Sequence, residues 1–203
     1  MDQSQCPVLF GLPRYWGIAG IGWCLACAAG LGLFWHYKTM GQQPRESAMW
    51  WPEQADILRN EQELTLLMFL HPRCPCTRAS LHELEQVLRE AGQPGATFVV
   101  YQPRAGDATW QTSPLLDVIR ALPEAKIVWD QQGQITKKFG AVTSGQVQLY
   151  RPSGECLFNG GITRLRGHEG TNAASEQLLA ALQGKPSALA PTAVYGCALQ
   201  ASR

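Results

Sequence analysis

The apolar residues of this chain fall into one long run and several short ones, and the long run carries no formal charge. It is flanked by Arg14 and Lys38, and its roughly 23 residues, at about 1.5 Å of rise each, would cover the bilayer core of about 30 Å. Trp16 and Trp35 lie near its two ends, as is typical of membrane interfaces. We therefore predict a transmembrane helix over residues 15–37. A cleaved signal peptide is the alternative, but its apolar region is normally only about 7 to 15 residues long.

The short apolar runs beyond this helix alternate between the period of a strand and that of a helix. A buried strand over 64–70 leads into a helix in which Leu81, Leu84 and Leu88 recur at helical spacing. The later segments are predicted as a strand at 96–101, a helix at 113–122, a strand at 126–129, a helix-like segment at 134–139, a hairpin with strands at 147–150 and 156–158, and a helix at 173–182. This order predicts an α/β fold with a mixed central sheet flanked by helices, preceded by one transmembrane helix.

Composition and element order together divide the chain into five parts. The predicted parts are a short N-terminal segment at 1–14, the transmembrane anchor at 15–37, a tether at 38–60, a main domain at 61–184 and a C-terminal tail at 185–203. The tether contains prolines, and its Trp50 and Trp51 could dock on the main domain or on the membrane surface. The tail is loose and rich in small residues, and its segment around Cys197 could fold back over the domain.

Candidate chemistry concentrates where the first strand meets its helix. Cys74 and Cys76 lie at this junction, and His71, Arg73 and Arg78 are their neighbours in the sequence. Backbone N–H groups point outward at the start of a helix, and the helix dipole favours a negative charge there. A thiolate is such a charge. We therefore expect at least one of the two thiols to have a lowered pKa.

This junction resembles the active-site segment of the thioredoxin superfamily. A strand ends at Phe69, four residues follow, and a cysteine then opens a helix and precedes a second cysteine. Cys74 corresponds to the attacking cysteine of the family. The second cysteine departs from the pattern, because Thr77 occupies the place where the family has it and Cys76 lies one residue early. The resemblance implies a thioredoxin-like fold and an activity in thiol-disulfide exchange.

A more specific similarity is to the membrane-anchored thioredoxin-like proteins called RedB. It covers the anchor and the chain from about Trp51 onward, and it rests on the motifs at 71–80, 160–170 and 195–197. The resemblance implies that the partners are redox proteins, acting as substrates, and a membrane electron donor, with lipid around the anchor helix. It also implies a single-pass protein of the cytoplasmic (inner) membrane with its main domain in the periplasm. By charge alone, the positive-inside rule weakly favours the opposite orientation.

The cysteine pair predicts exchange chemistry that needs no cofactor. We expect Cys74 to attack a partner disulfide and Cys76 to resolve the mixed disulfide. The one-residue spacer between them closes a small, strained ring, and strain makes a disulfide easier to reduce. The pair is therefore expected to be relatively oxidising, while the direction of exchange with the partner stays open.

A second departure from the family lies before the predicted strand at 147–150. Thioredoxins have a cis-proline beside their cysteines at this place, whereas this chain has Ser144 and Gly145. In the family this proline also discourages metal binding. Its absence supports an alternative function, a copper-binding or chaperone module in which Cys74, Cys76 and His71 hold the soft Cu(I) ion, with His82 a weaker candidate. A third alternative is a non-catalytic interaction domain on the same fold.

Two further segments carry candidate residues. The glycine-rich loop at 160–170 contains Arg166 and His168, which would lie near the cysteines because the loop precedes the last helix, although most such loops are solvated connectors. His168 would then be able to move protons near neutral pH. In the tail, Cys197 would either pair with Cys156 as a structural staple or exchange with Cys74, and the sequence leaves both open.

Bulk charge narrows the possible partners. The formal net charge is +1, so the clustered Lys and Arg that nucleic-acid binding needs are lacking. The seven cysteines are an odd number, so at least one must stay free or pair elsewhere. Cys24 and Cys27 lie within the apolar run and are expected to act there as small hydrophobic residues.

Overall fold

The computed structural model describes residues 14–44, 49–103, 110–186 and 190–199, which form two compact units that divide after Thr39. The first unit is helix α1, Arg14–Thr39, whose 26 residues extend about 39 Å at about 1.5 Å per residue. The side chains of residues 15–37 are exposed along its whole length. By length and composition α1 fits either a membrane span or a signal sequence.

The second unit begins at Met40 and is built on five strands and four helices within the described residues. The strands are β1 Thr65–Leu70, β2 Ala96–Gln102, β3 Ala125–Gln131, β4 Gln146–Tyr150 and β5 Cys156–Gly160, and the helices are α2 Thr77–Glu90, α3 Pro114–Ala121, α4 Gln134–Lys138 and α5 Ala173–Leu182. The strands form one sheet in the order β3-β2-β1-β4-β5.

The sheet is mixed because the strands are joined by two kinds of connection. The segments containing α2 and α3 cross over between successive strands, so β1, β2 and β3 run parallel to one another. A short turn joins β4 to β5, and β4 runs antiparallel to both β1 and β5. This is the thioredoxin-like arrangement, and the predicted fold class is confirmed.

The central strand β1 is covered on both faces of the sheet, which explains why it is apolar throughout. Successive side chains of a strand point to opposite faces. Leu66, Met68 and Leu70 pack with residues of α2, α3 and α5, whereas Leu67 and Phe69 pack on the other face with Ile135 and Phe139 in and after α4. The residues that follow β1 therefore start from a strand that is held by packing on both faces.

The segment that precedes β1 packs against the sheet, which is one of the two docking places that the sequence left open for its tryptophans. The Trp51 ring meets those of Phe139 and Tyr150 edge-on, with ring centroids 4.9 and 5.1 Å apart. Ile57 is buried in the same cluster. Isolated apolar residues have no sequence period, which is why the sequence alone left open whether Trp51 docks on the domain or on the membrane.

Candidate functional site

The candidate site begins in the turn that joins β1 to α2. The backbone N–H of Cys74 donates to the oxygen of His71 at 3.0 Å, and the N–H of Thr77 donates to the oxygen of Cys74 at 3.2 Å. Helix α2 begins at Thr77 with Cys76 at its N-cap. Cys74 therefore lies in the turn just ahead of the helix, rather than at its first residue, and only 3% of its surface is exposed.

A third cysteine, from the C-terminal tail, completes the site. The backbone N–H of Cys197 donates to the Sγ atom of Cys74 at 3.3 Å. Cys156 lies in β5, where its thiol donates to the oxygen of Phe158 at 3.1 Å. Of the two alternatives that the sequence left open for Cys197, the structure contains the contact with Cys74.

Backbone contacts hold this part of the tail in place. The N–H of Ser144 donates to the oxygen of Cys197 at 2.8 Å, and the N–H of Leu199 donates to the oxygen of Val142 at 3.0 Å. Thr143 and Ala198 form an antiparallel bridge between these two bonds. Residues 197–199 thus form an antiparallel bridge with the segment that leads into β4, so this part of the tail folds back over the domain as the sequence allowed.

Cys74 ionises more easily than an ordinary cysteine. Burial alone would raise its pKa, but hydrogen bonds from the Thr77 side chain and from the thiol and backbone N–H of Cys197 outweigh burial and lower the pKa. The sequence predicted this direction from Arg73, Arg78 and His71. In the structure the lowering comes chiefly from neutral donors, and one of them lies far away in the sequence.

Ser144 organises the donors around Cys74. Its Oγ lies 2.6 Å from the Oγ1 of Thr77 and accepts the backbone N–H of His71 at 2.8 Å. Either hydroxyl of this pair can be the donor, so Ser144 is hydrogen-bonded to the threonine that helps to lower the pKa of Cys74. Gly145 follows with φ +93°, and a Cβ there would lie 2.8 Å from the Oγ of Ser80. Ser144 and Gly145 therefore line the cysteine site, and there is no cis peptide bond among the described residues.

The other two thiols of the site hold their protons more firmly. Burial and the negative charge of Cys74 raise the pKa of Cys76, and a hydrogen bond from Arg166 partly offsets this. Burial, the hydrogen bond to Cys74 and the charge of Cys74 raise the pKa of Cys197 to about 12. Arg166 also donates to the oxygen of Gly196 at 2.7 Å, so it joins the glycine-rich loop to the tail beside the cysteines.

Aromatic rings line the start of the turn before Cys74. The His71 ring lies 4.8 Å from that of Trp110 and 6.1 Å from that of Tyr101, measured between centroids. The guanidinium carbon of Arg73 lies 4.5 Å from the centre of the Trp110 ring. Burial lowers the pKa of His71, so its ring favours the neutral form. The positions of Tyr101 and Trp110 beside this turn could not be predicted from the sequence, because only the folded chain brings them together.

The side chains of several predicted residues make no hydrogen bond with the cysteines in the part of the chain that the structure describes. Arg78 and His168 are exposed, and their side chains make no hydrogen bond or ion pair within the part of the chain that the structure describes. His82 faces Glu169, with 3.6 Å between Nδ1 and Oε2. No group of three His, Cys, Asp or Glu side chains suited to a metal ion occurs among the described residues. His71 instead uses its Nδ1 to accept the N–H of Arg73 at 3.2 Å.

Comparison with known proteins finds similar structures but no sequence relative: no family model and no curated protein matches the chain. A hypothetical protein, SMc02350 of Sinorhizobium meliloti 1021, superposes with a TM-score of 0.57 at 16% identity, covering 79% of this chain and 98% of that one. An uncharacterized conserved protein of Geobacillus kaustophilus gives 0.53 at 18% identity, covering 81% and 95%. A secreted disulfide oxidoreductase of Mycobacterium tuberculosis gives 0.41 at 15% identity, covering 60% and 81%. At these identities the first two likenesses show a shared fold.

Proposed function

We propose that this protein is a thiol-disulfide oxidoreductase with Cys74 as its nucleophile. The observation that carries the proposal is the environment of the Cys74 sulfur, which accepts hydrogen bonds from Cys197 and Thr77 and has a lowered pKa. Cys76 and Cys197, beside it, have raised pKa values. One thiol of the three is thus set apart as the attacking group, since the thiolate is the reactive form.

The reaction moves electrons from sulfur to sulfur and needs no other cofactor. The Cys74 thiolate attacks one sulfur of a partner disulfide, a bond forms between them, and the second partner sulfur leaves as a thiolate. A second thiol of the site, Cys76 in the pattern predicted from the sequence, then attacks the Cys74 sulfur and releases the partner as a thiol. The partner gains two electrons, and the protein is left with a disulfide. An external dithiol donor, oxidised in turn to its disulfide, returns it to the starting state.

The setting of this reaction follows from the anchor and from the resemblance to RedB proteins. We place α1 in the cytoplasmic membrane as an uncleaved span and the main unit in the periplasm, where disulfides persist. The similarity of residues 71–80, 160–170 and 195–197 to RedB sequences supports this assignment. The substrates are redox proteins of that compartment, and the donor is a membrane protein that carries a dithiol.

The test is reduction of a protein disulfide by the full chain in detergent, with dithiothreitol as donor. We expect Cys74→Ser to abolish turnover, because no other thiol of the site has a lowered pKa. Cys156→Ser is the matched control, since this cysteine is equally buried but lies in β5, away from the turn. Turnover by Cys74→Ser at the rate of the control would remove Cys74 as the nucleophile.

A further inference from the structure

The tail holds Cys197 against the sulfur on which the proposed chemistry takes place. The backbone N–H of Cys197 donates to the Cys74 Sγ at 3.3 Å. Backbone hydrogen bonds from Ser144 to Cys197 and from Leu199 to Val142 hold the chain just after this contact. Gly196 permits the close approach, because a Cβ at this position would overlap the backbone oxygen of Ser144. The contact is therefore built into the fold.

We propose that Cys197 is a catalytic residue, the thiol that resolves the mixed disulfide between Cys74 and a partner. The oxidised product of the reaction is then a disulfide between Cys74 and Cys197. This inference rests on the proposed function, since it needs Cys74 to be the attacking thiol. It goes beyond it by assigning the second step to the tail rather than to Cys76.

Chain geometry favours Cys197 for this step. A disulfide between Cys74 and Cys76 must close a ring across a single residue, which strains the bond. Cys197 approaches from a separate segment, so its bond to Cys74 closes no such ring. A thiol that is already held beside its target reacts as part of the same molecule, and this proximity raises its effective concentration.

The charges at the site order the two steps. The negative charge of Cys74 is one cause of the raised pKa of Cys197, and Arg166 acts in the opposite direction. When Cys74 enters a mixed disulfide, this negative charge disappears while the positive charge of Arg166 remains. Cys197 thus becomes a better nucleophile only after the first step, so it does not compete with Cys74 for the incoming disulfide.

The second step balances as an exchange of one sulfur bond for another. The Cys197 sulfur attacks the Cys74 sulfur, the bond between Cys74 and the partner breaks, and the partner leaves with the electron pair. The proton of the Cys197 thiol passes to the departing partner sulfur. No oxidant is consumed beyond the partner disulfide, and the external dithiol reduces the resulting bond between Cys74 and Cys197.

Peptide mapping of the full chain after one turnover with a disulfide substrate tests the assignment. Trypsin places Cys74 and Cys76 together in peptide 74–78 and Cys197 in peptide 167–203. We expect these two peptides to be joined, and to remain joined in the Cys76→Ser variant, which identifies Cys74 as the linked residue. A disulfide confined to peptide 74–78 in the unaltered chain would overturn the proposal.

The Cys197→Ser variant supplies the kinetic part of the test. We expect it to accumulate the mixed disulfide and to release the partner at least about a hundredfold more slowly, because an intramolecular attack is lost. Cys156→Ser should release the partner at the unaltered rate. Unchanged release by Cys197→Ser would overturn the assignment while leaving Cys74 as nucleophile. Failure of the proposed function would instead appear as turnover by Cys74→Ser.

Discussion

At the scale of single residues, hydrogen bonds rather than the extent of burial account for the difference in pKa between Cys74 and Cys156. Cys74 and Cys156 are both 3% exposed. Burial raises the pKa of Cys156 to about 11, whereas the pKa of Cys74 is lowered. Backbone hydrogen bonds at Phe158 and Leu149 also lower the pKa of Cys156, but Cys74 has side-chain hydrogen bonds from Thr77 and Cys197 in addition, and such bonds favour the thiolate. The exposed fraction alone would predict the same pKa for both thiols.

The Thr77 hydroxyl provides a direct test of this account. Thr77→Val removes one donor to the Cys74 sulfur, so we expect the pKa of Cys74 to rise and its alkylation by iodoacetamide to shift to higher pH. Thr77→Ser keeps the hydroxyl and should restore the original profile. The rate of alkylation against pH is measured in the Cys76→Ser background, so that peptide 74–78 reports Cys74 alone. Identical profiles for the Val and Ser variants would contradict the role given to Thr77.

At the scale of elements, regular structure was predictable from the sequence wherever a period was present. Helix α5 has the predicted bounds, 173–182, because its apolar spacing is clear and Asn172 caps it. Strand β3 extends beyond the predicted 126–129 to Ala125–Gln131. Asp130 is buried in the polar end of this strand. Its side chain accepts the N–H groups of Ile135 and Thr136 at the start of α4. A buried charge with local partners breaks the apolar pattern without ending the strand.

The candidate site was predictable only as far as local sequence reaches. Cys74 and Cys76 follow from one continuous motif, and the place of Ser144 follows from the order of the elements. The contact between Cys197 and Cys74 joins residues 123 positions apart, through isolated bridges that have no sequence period. A choice between partners for Cys197 therefore needed the folded chain.

The bridge between the tail and the segment before β4 can be disrupted without changing a cysteine. In Gly196→Ala the added Cβ meets the Ser144 oxygen, so we expect the tail to move away and the N–H of Cys197 to stop donating to Cys74. The pKa of Cys74 should then rise, and the peptides 74–78 and 167–203 should no longer be joined after turnover. Ala198→Ser is the matched control, because this side chain is exposed on the same segment. A joined pair of peptides in Gly196→Ala at the control level would contradict the docking described.

At the scale of the whole molecule, the chain combines an apolar helix with a second unit that contains the proposed thiol-disulfide site. The side chains of residues 15–37 are exposed along α1, an arrangement that water disfavours and lipid accepts. Composition was sufficient to predict this helix. The orientation of the helix across a membrane could not be predicted as well from the sequence, because the few flanking charges, at Arg14 and Lys38, bias it only weakly.

The anchor prediction can be separated from a cleaved signal sequence by mass and fractionation. We expect the full chain with a C-terminal tag to remain in the membrane pellet after alkaline carbonate, at its complete mass of 22.3 kDa plus the tag. Leu25→Arg places a charge at the middle of the span and should weaken membrane retention, whereas Leu25→Ile should not. A shortened, soluble product from the unaltered chain would show that α1 is removed.

The most direct measurement of the central claim is a redox titration of the full chain in detergent. The protein is equilibrated with buffers of graded ratio of reduced to oxidised glutathione, quenched with acid and alkylated. Mass spectrometry then measures the peptides that contain Cys74 and Cys197, and copper and zinc are measured on the same sample. The account predicts that Cys74 passes reversibly between an alkylatable thiol and a disulfide, without bound metal. A Cys74 thiol that stays reduced across the whole series, or that holds copper stoichiometrically and resists oxidation, would contradict it.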